Sequence, residues 1–512
     1  MMQRSVSALR TAILPLLLAA ACNVFDPPLS GNDAGLTDHP NASGGASGMN
    51  ADAGSQPSGS GGRDASVSSG GAAGASSGGA SGGSSSGGAP PSTGGVGGAH
   101  PSGPTDPWWP HKTAAGCQSA GVPTGSDRVS SDPGATIAPL YFAMNRFRLG
   151  AVDEKPDPAN MSLTYLPPDP DAWKSIGFDQ DSACTNSATC VDKNDMLIKE
   201  TACANSETIP FDGNDCIDNS IGKLFNIAAT APSVGEWFGM TENDWNCEMW
   251  RGGFSVIFKV SNYNGQYNDD SVTVDLYTST GLKTLPQWSC RTKIDQPLAT
   301  DWNAHAPWPT KAHWIISQDS ISLAADPNST GTDVPDSKWQ DRTAFVRGGW
   351  LVVQFPDNSW FWFDGERTPV PGFREIMHRS IMAANLVHDL QSDLWRLDQG
   401  TIAYVAKPGE MLEGFSQMGF CENMCGTFNT VRDYLNTYQD SLSNDSNAPP
   451  DTQCDALSFG TVFRAAQVTA DKNDVLPTKP FTTCPQPAHP DAPRQGCKCS
   501  ADGSSCSLPD GG

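Results

Sequence analysis

From about Ser30 to Thr105 the chain is almost entirely Gly, Ser and Ala with scattered Asp and Pro, and this tract limits what the rest can fold into. Such a composition cannot bury enough apolar surface to offset the entropy of ordering its backbone, so the tract is expected to stay disordered. As a flexible coil of about 80 residues it would span roughly 50 Å, a leash rather than a domain. Its Gly-Gly-Ala-Ser texture is low complexity, not a structural repeat. Of the 512 residues, roughly 400 from Asp106 onward remain for a packed core, enough for one large domain or two modest ones.

The formal charge of −24 argues against nucleic acid as a partner, because phosphate recognition relies on Lys/Arg clusters and the chain carries no basic stripe. Fifteen cysteines point towards an oxidising compartment. With Cys22 set aside, the remainder is even in number and is expected to pair, with a connectivity that spacing cannot fix. The rival reading, metal ligation, finds no Cys-x-x-Cys pair, and neither Cys421/Cys425 nor Cys497/Cys499 completes a zinc pattern.

The N-terminus agrees with export. Arg4 and Arg10 precede a short apolar run, Ile13 to Ala21, that is interrupted by Pro15 and too short for a permanent membrane span. The small residues Ala19-Ala20-Ala21 before Cys22 resemble the lipobox of bacterial lipoproteins, although Leu18 stands one position earlier than usual. That resemblance implies removal of residues 1–21 as a signal peptide and acylation of Cys22, and Asn23 argues mildly against inner-membrane retention. Several acyl chains suffice for stable anchoring. Cleavage at an ordinary Ala-x-Ala site, with Cys22 a bystander, is the alternative. The expected organisation is therefore a signal peptide (1–21), a lipidated cysteine with its linker (22–105), a disulfide-bonded β-rich domain (106–485) and a cysteine-containing tail (486–512). The whole plan resembles the surface lipoproteins of Gram-negative bacteria, which implies an outer-membrane or cell-surface address and no particular activity.

Within the domain, short apolar segments are punctuated by Gly, Asn, Asp and Pro. Gly253–Val260 and Ser271–Tyr277 read as a hairpin with a long loop. Trp350–Phe355 and Trp360–Phe363 read as strands separated by the turn residues Pro356-Asp357-Asn358. An apolar-rich stretch runs from Thr136 to Leu149, Leu457–Ala466 reads as another strand, and Phe373–Leu390 suits a strand better than a helix. Asp364-Gly365 and Gln399-Gly400 mark turns. Helix is expected only over Ser220–Thr230, Pro408–Met418 and Thr430–Leu442. This pattern predicts a mainly β fold, an antiparallel β-sandwich or jelly-roll with a few short helices.

Two features suggest ligands. The loop from Asp212 to Asn219 clusters Asp212, Asn214, Asp215 and Asp218, an oxygen-rich set suited to a structural Ca²⁺. Its spacing is not that of an EF-hand, and a turn pinned by Cys216, in which Asp and Asn bond their own backbone, is the competing reading. Asn268-Asp269-Asp270 has the same two readings. All fifteen tryptophans lie at or after Trp108. Those in polar surroundings, Trp245, Trp302 and Trp308, are the candidates for stacking on sugar rings, whereas Trp350, Trp360 and Trp362 sit in strand-like runs where burial is the default.

Catalytic signatures are missing. Gly414-Phe415-Ser416-Gln417-Met418 fails the nucleophile-elbow pattern at Met418, and no His-Glu-x-x-His or phosphate loop occurs. His305, His313, His378 and His388 show no metal-ligand spacing. Carboxylate pairs such as Glu242 or Glu248 with a distant Asp leave a polysaccharide hydrolase open as an alternative. The leading expectation is a non-catalytic surface module that binds glycan or another envelope component, or is purely structural.

Overall fold

The computed structural model describes residues 113–114, 117–118, 121–152, 168–181, 203–204, 212–230, 235–285, 308, 312–322, 333–363, 373–417, 425–444, 449, 451–477, 498–499 and 506–507. The signal peptide, Cys22, the Gly/Ser linker and most of the 486–512 tail lie outside the described residues, as do Trp302, His305 and the Asp215 side chain.

Nine strands form the main sheet: β1 (Leu140–Arg148), β2 (Ser255–Ser261), β3 (Asp269–Ser279), β4 (Trp339–Arg347), β5 (Trp350–Gln354), β6 (Ser359–Phe363), β7 (Phe373–Asp389), β8 (Leu394–Ala406) and β9 (Leu457–Val468). Helices are α1 (Ser220–Thr230), α2 (Gly235–Trp250), α3 (Pro408–Gln417) and α4 (Cys425–Thr437). The protein is mainly β with few helices, as its strand-length apolar segments require.

The sheet does not split into two packed layers. Its strands follow one another as β7-β8-β9-β1-β2-β3-β4-β5, and β5 pairs back onto β7, closing an eight-stranded antiparallel barrel. This corrects the sandwich or jelly-roll expectation. The physical reason lies in β7, which is long enough to take two partners on one edge. Its first half pairs with β6 (Phe361 opposite Glu375) and its second half with β5 (Val352 opposite Ala383), so β5 and β6 lie end to end in the same direction. Pro356-Asp357-Asn358 forms the expected turn, with the Ser359 N–H donating to the Pro356 carbonyl at 3.2 Å, but the turn kinks one strand path and does not reverse the chain. A bulge faces it on β7, where Arg379 takes φ 49°. The Asp357 carboxylate accepts the Arg379 backbone N–H at 2.9 Å, and the guanidinium donates to the Leu442 and Gln180 carbonyls at 2.9 and 2.8 Å. Bulges bend strands, and closure depends on that bend. Gln399-Gly400 is likewise a bulge within β8, with Gln399 at φ 48°, not a turn.

The β2–β3 hairpin forms as the alternation predicts. β4 and β5 are joined by Gly348-Gly349, both at positive φ (61° and 79°), the backbone a two-residue hairpin demands. Alternate residues of every strand point into the barrel and fill it, among them Phe142, Phe258, Val274, Val353, Phe361, Met382, Ile402 and Phe463. The outer wall is also covered in places. Tyr141, Ile257 and Tyr277 pack under Trp308, Trp314 and Ile316, while Val352, Ile381 and Ala403 pack under Phe178. Cover on both faces explains why Gly253–Val260 reads as a continuous apolar run.

The helices close one end of the barrel, where β1 and β8 finish and β7 and β9 begin. Ile221 and Phe225 of α1, Trp245 and Met249 of α2, Met411, Leu412 and Phe415 of α3 and Leu435 of α4 join the interior cluster. α1 and α3 fall where the periodicity predicts; α4 begins earlier, and α2 was not anticipated. The Cys203–Cys454 disulfide ties a segment before α1 to the approach to β9, and Cys216 and Cys247 are disulfide-bonded too. The 251-residue separation it spans encloses most of the barrel.

Candidate functional site

Buried acids gather at the helix-capped end. The loop that holds Asp212, Asn214 and Asp218 lies tightly against residues 172–177, and a side chain at Gly213 would meet the Lys174 carbonyl at 2.3 Å. Asn214 is exposed, whereas Asp212 and Asp218 turn inward. Asp218 meets Asp179 and Asp181 rather than Asn214, with one ligand atom of each carboxylate inside a common 4.8 Å. Its Oδ2 accepts the Gln180 and Asp181 backbone N–H groups at 2.6 and 3.2 Å. Burial raises the Asp218 carboxyl well above its ordinary value, and Asp181, Asp212, Asp179 and Asp440 push it the same way. Three such carboxylates can offer oxygens to one hard cation, and equally can share protons without one. The carboxylates that gather thus differ from the sequence expectation: Asp179 and Asp181 join Asp218, and Asn214 stays apart.

Beside this cluster, Asp440 clamps α1 to β9. Its oxygens accept from the Ser220 hydroxyl (2.6 Å), the Ser458 hydroxyl (2.5 Å) and the Ser458 N–H (2.7 Å). Burial lifts it to about 6 despite those donors. Glu242 and Asn246 of α2 act as a surrogate partner for the chain leaving β1. Glu242 accepts the Leu149 and Ala151 N–H groups at 3.0 and 3.2 Å, and Asn246 bonds both the N–H and the carbonyl of Phe147. Burial raises Glu242 to about 7. Glu248, fully buried, pairs with Arg251 at 2.5 Å. Both glutamates named as hydrolase candidates are therefore engaged in holding backbone or a neighbouring cation.

A third group lies where α3 covers the barrel interior. Glu375 on β7 and Tyr404 on β8 are both fully buried, and neither the Glu375 oxygens nor the Tyr404 hydroxyl makes a hydrogen bond. Burial drives the Glu375 carboxyl well above its ordinary value; Glu410 adds to the rise and Arg374 opposes it. Next to them His378 Nε2 meets Glu410 Oε2 at 2.8 Å, and Arg374 pairs with Glu413, both glutamates standing on α3. Unpaired polar groups in an apolar interior are uncommon and each costs about 1–3 kcal/mol. The sequence signal was present and unused: in Phe373-Arg374-Glu375-Ile376-Met377, Glu375 occupies the inward phase shared with Met377.

Of the three candidate tryptophans, Trp245 and Trp308 are buried, and Trp302 lies outside the described residues. Trp245 is buried in the core against Phe147 and Phe363, at ring-centroid distances of 6.0 and 6.1 Å. Trp308 is buried against Trp314, with its indole N–H directed at the Trp250 carbonyl at 3.3 Å. Neither offers a platform to a sugar. Their polar flanking residues do not mark exposure: Trp245 lies on a helix whose polar inward residues grip backbone, and Trp308 packs onto the outer wall over Tyr141, Ile257 and Tyr277. Trp360, in contrast, is only half-buried. It has Trp339 and Trp362 beside it, and Arg374 and Lys338 lie 4.5 and 6.0 Å from its ring centroid.

Among the other histidines, His313 Nδ1 contacts Asp474 Oδ2 at 2.7 Å, and Asp471 completes a possible ligand group there. Asp474 is already committed to Lys283 and to the Asp471 N–H that caps its turn. His388 stacks on Trp395, its ring centroid 4.4 Å away. Asp269 of the second acidic loop bonds the Asn264 N–H at 2.7 Å, closing the β2–β3 connection as a turn. Compared with protein-family models, curated proteins and solved structures, the chain matches none.

Proposed function

We propose that this chain is an exported, lipid-anchored surface module that is non-catalytic and binds glycan or another envelope component through its outer wall. The observation that carries the reading is the filled barrel: among the described residues, the inward positions of all eight strands are dominated by packed apolar side chains. A packed barrel presents its chemistry outward. The half-buried Trp360 with Arg374 and Lys338 beside it combines an aromatic body with cationic groups, a composition suited to acidic or neutral sugars. In this reading Cys22 holds the lipid and the Gly/Ser leash carries the barrel away from the membrane.

A polysaccharide hydrolase is the second reading, favoured by one observation: Glu375 is a fully buried carboxyl whose burial, with Glu410 adding to it, favours the acid form. Retaining and inverting hydrolases need one carboxylic acid and one carboxylate. Co-sedimentation of the full chain with isolated envelope polysaccharide, followed by assay of new reducing ends, separates the two. The proposal expects retention without new ends and a roughly tenfold weaker affinity for Trp360→Ala, about 1.4 kcal/mol. New reducing ends that disappear in Glu375→Gln would establish the hydrolase instead, and no retention on any fraction would remove the binding role.

A further inference from the structure

We propose that α3 is a proton-controlled cap: it stays seated on the barrel end while Glu375 carries its proton and lifts away when Glu375 ionises. The geometry supports a latch rather than a plain packing contact. α3 meets the start of β7 through two charged contacts, Glu410 with His378 and Glu413 with Arg374, and Arg374 also lies over Trp360. On the inward phase of the same strand the Glu375 carboxyl is sealed from solvent with neither oxygen hydrogen-bonded. An ionised carboxylate in that position would be unsolvated and would face the like charge of Glu410 from α3. The groups facing it are few. On its own strand they are Arg374 and His378, on α3 Glu410, and on β8 the Tyr404 hydroxyl; the β6 residue opposite it is Phe361. Only Arg374 favours its ionised form, and that guanidinium is already shared with Glu413 and the Trp360 ring.

Of the elements bordering Glu375, α3 is the one that can move without breaking the ladder. β6, β7 and β8 are held by sheet hydrogen bonds, whereas the contacts of α3 are side-chain ones, among them Met411, Leu412, Phe415 with its ring against Phe225 of α1, and the two charged contacts. Relief of the buried charge therefore comes most cheaply by displacing α3. The sign follows from linkage: with its proton held more tightly when α3 is closed, Glu375 favours closure below the ordinary carboxylate range. Opening grows as pH rises above that range, by at most about tenfold per pH unit for one proton.

Methionine oxidation reads the motion locally, because Met411 of α3 is fully buried in the closed state, as are Met144 and Met382 inside the barrel. The full chain is pulsed with hydrogen peroxide at pH 5 to 9, and sulfoxide at each methionine is quantified by peptide mass spectrometry. The proposal expects Met411 oxidation to rise at least severalfold across that range while Met144 and Met382 stay slow. In Glu375→Gln the Met411 rate should become flat with pH. Should that variant fold poorly, Glu410→Gln serves: with the like charge removed, the Met411 rise with pH becomes smaller and levels off at lower pH. A pH-independent Met411 rate, a parallel rise at all three methionines, or a wild-type profile in Glu375→Gln would each overturn the proposal. The last of these would assign the transition to the His378–Glu410 contact.

Discussion

Trp245 shows how a single side chain changes meaning once its neighbours are known. Its surroundings in sequence, Glu242-Asn243-Asp244 before it and Asn246 after it, read as a polar loop. In the fold those residues belong to α2. Glu242 and Asn246 face inward because the chain beyond β1 needs hydrogen-bond partners that no strand supplies, and the indole fills the space beside Phe147 and Phe363. Trp245→Ala should therefore lower the unfolding free energy by about 3–5 kcal/mol, as for a large aromatic removed from a core. Urea unfolding followed by far-UV circular dichroism checks this; a loss below about 1 kcal/mol would mean that the indole is not a core group. Asp212 and Asp218 were legible as an acidic pair, but Asp179 and Asp181 approach from about 40 residues earlier, through the bridge between Phe178 and Asp218. No spacing rule spans that distance. Glu375 was legible only as a misfit of phase, a carboxylate on the apolar side of a strand.

At the scale of elements, the parts that could be read were those with an uninterrupted period. β3 alternates, β2 is a strand-length apolar run, and α1 and α3 carry apolar stripes, so each emerged at nearly its observed limits. α2 was missed because its inward side is partly polar, which erases the helical stripe. The closure of the sheet was illegible for a different reason. It depends on two interruptions, the kink at Pro356-Asp357-Asn358 and the bulge at Arg379, whose sequences look like turns or like nothing in particular. Arg379 pins that junction through hydrogen bonds to two carbonyls while its own N–H is held by Asp357. Arg379→Ala should cost about 1.5–3 kcal/mol, the scale of hydrogen bonds made by a charged donor. Asp357→Ala should cost less, since only one backbone N–H loses its partner. Equal stability of Arg379→Ala and wild type in denaturant melts would show that the bulge holds without its anchor.

For the whole molecule, the buried acids share one direction. Burial raises Glu242 to about 7 and Asp275 and Asp440 to about 6, and pushes Asp218 and Glu375 well above their ordinary values. Each binds its proton more tightly in the folded state than in the unfolded chain. Their contribution is therefore complete below the ordinary carboxylate range and is lost as pH climbs through the raised values. The net charge of −24 adds self-repulsion in the same direction. The melting temperature should be higher at pH 5 than at pH 8 in differential scanning calorimetry, and Glu242→Gln should flatten part of the slope between pH 5 and 7. A melting temperature that rises from pH 5 to pH 8 would contradict this balance. The proposed outward-facing function also rests on the whole barrel, because closure between β5 and β7 fills the interior. Amide hydrogen exchange along that seam is the most direct test. Val352, Val353 and Met382 to Ala384 should exchange as slowly as the centre of the β8–β9 pair. Rapid exchange on β5 and the second half of β7, at rates typical of free strand edges, would mean an open sheet with an accessible interior and would remove the basis of the account.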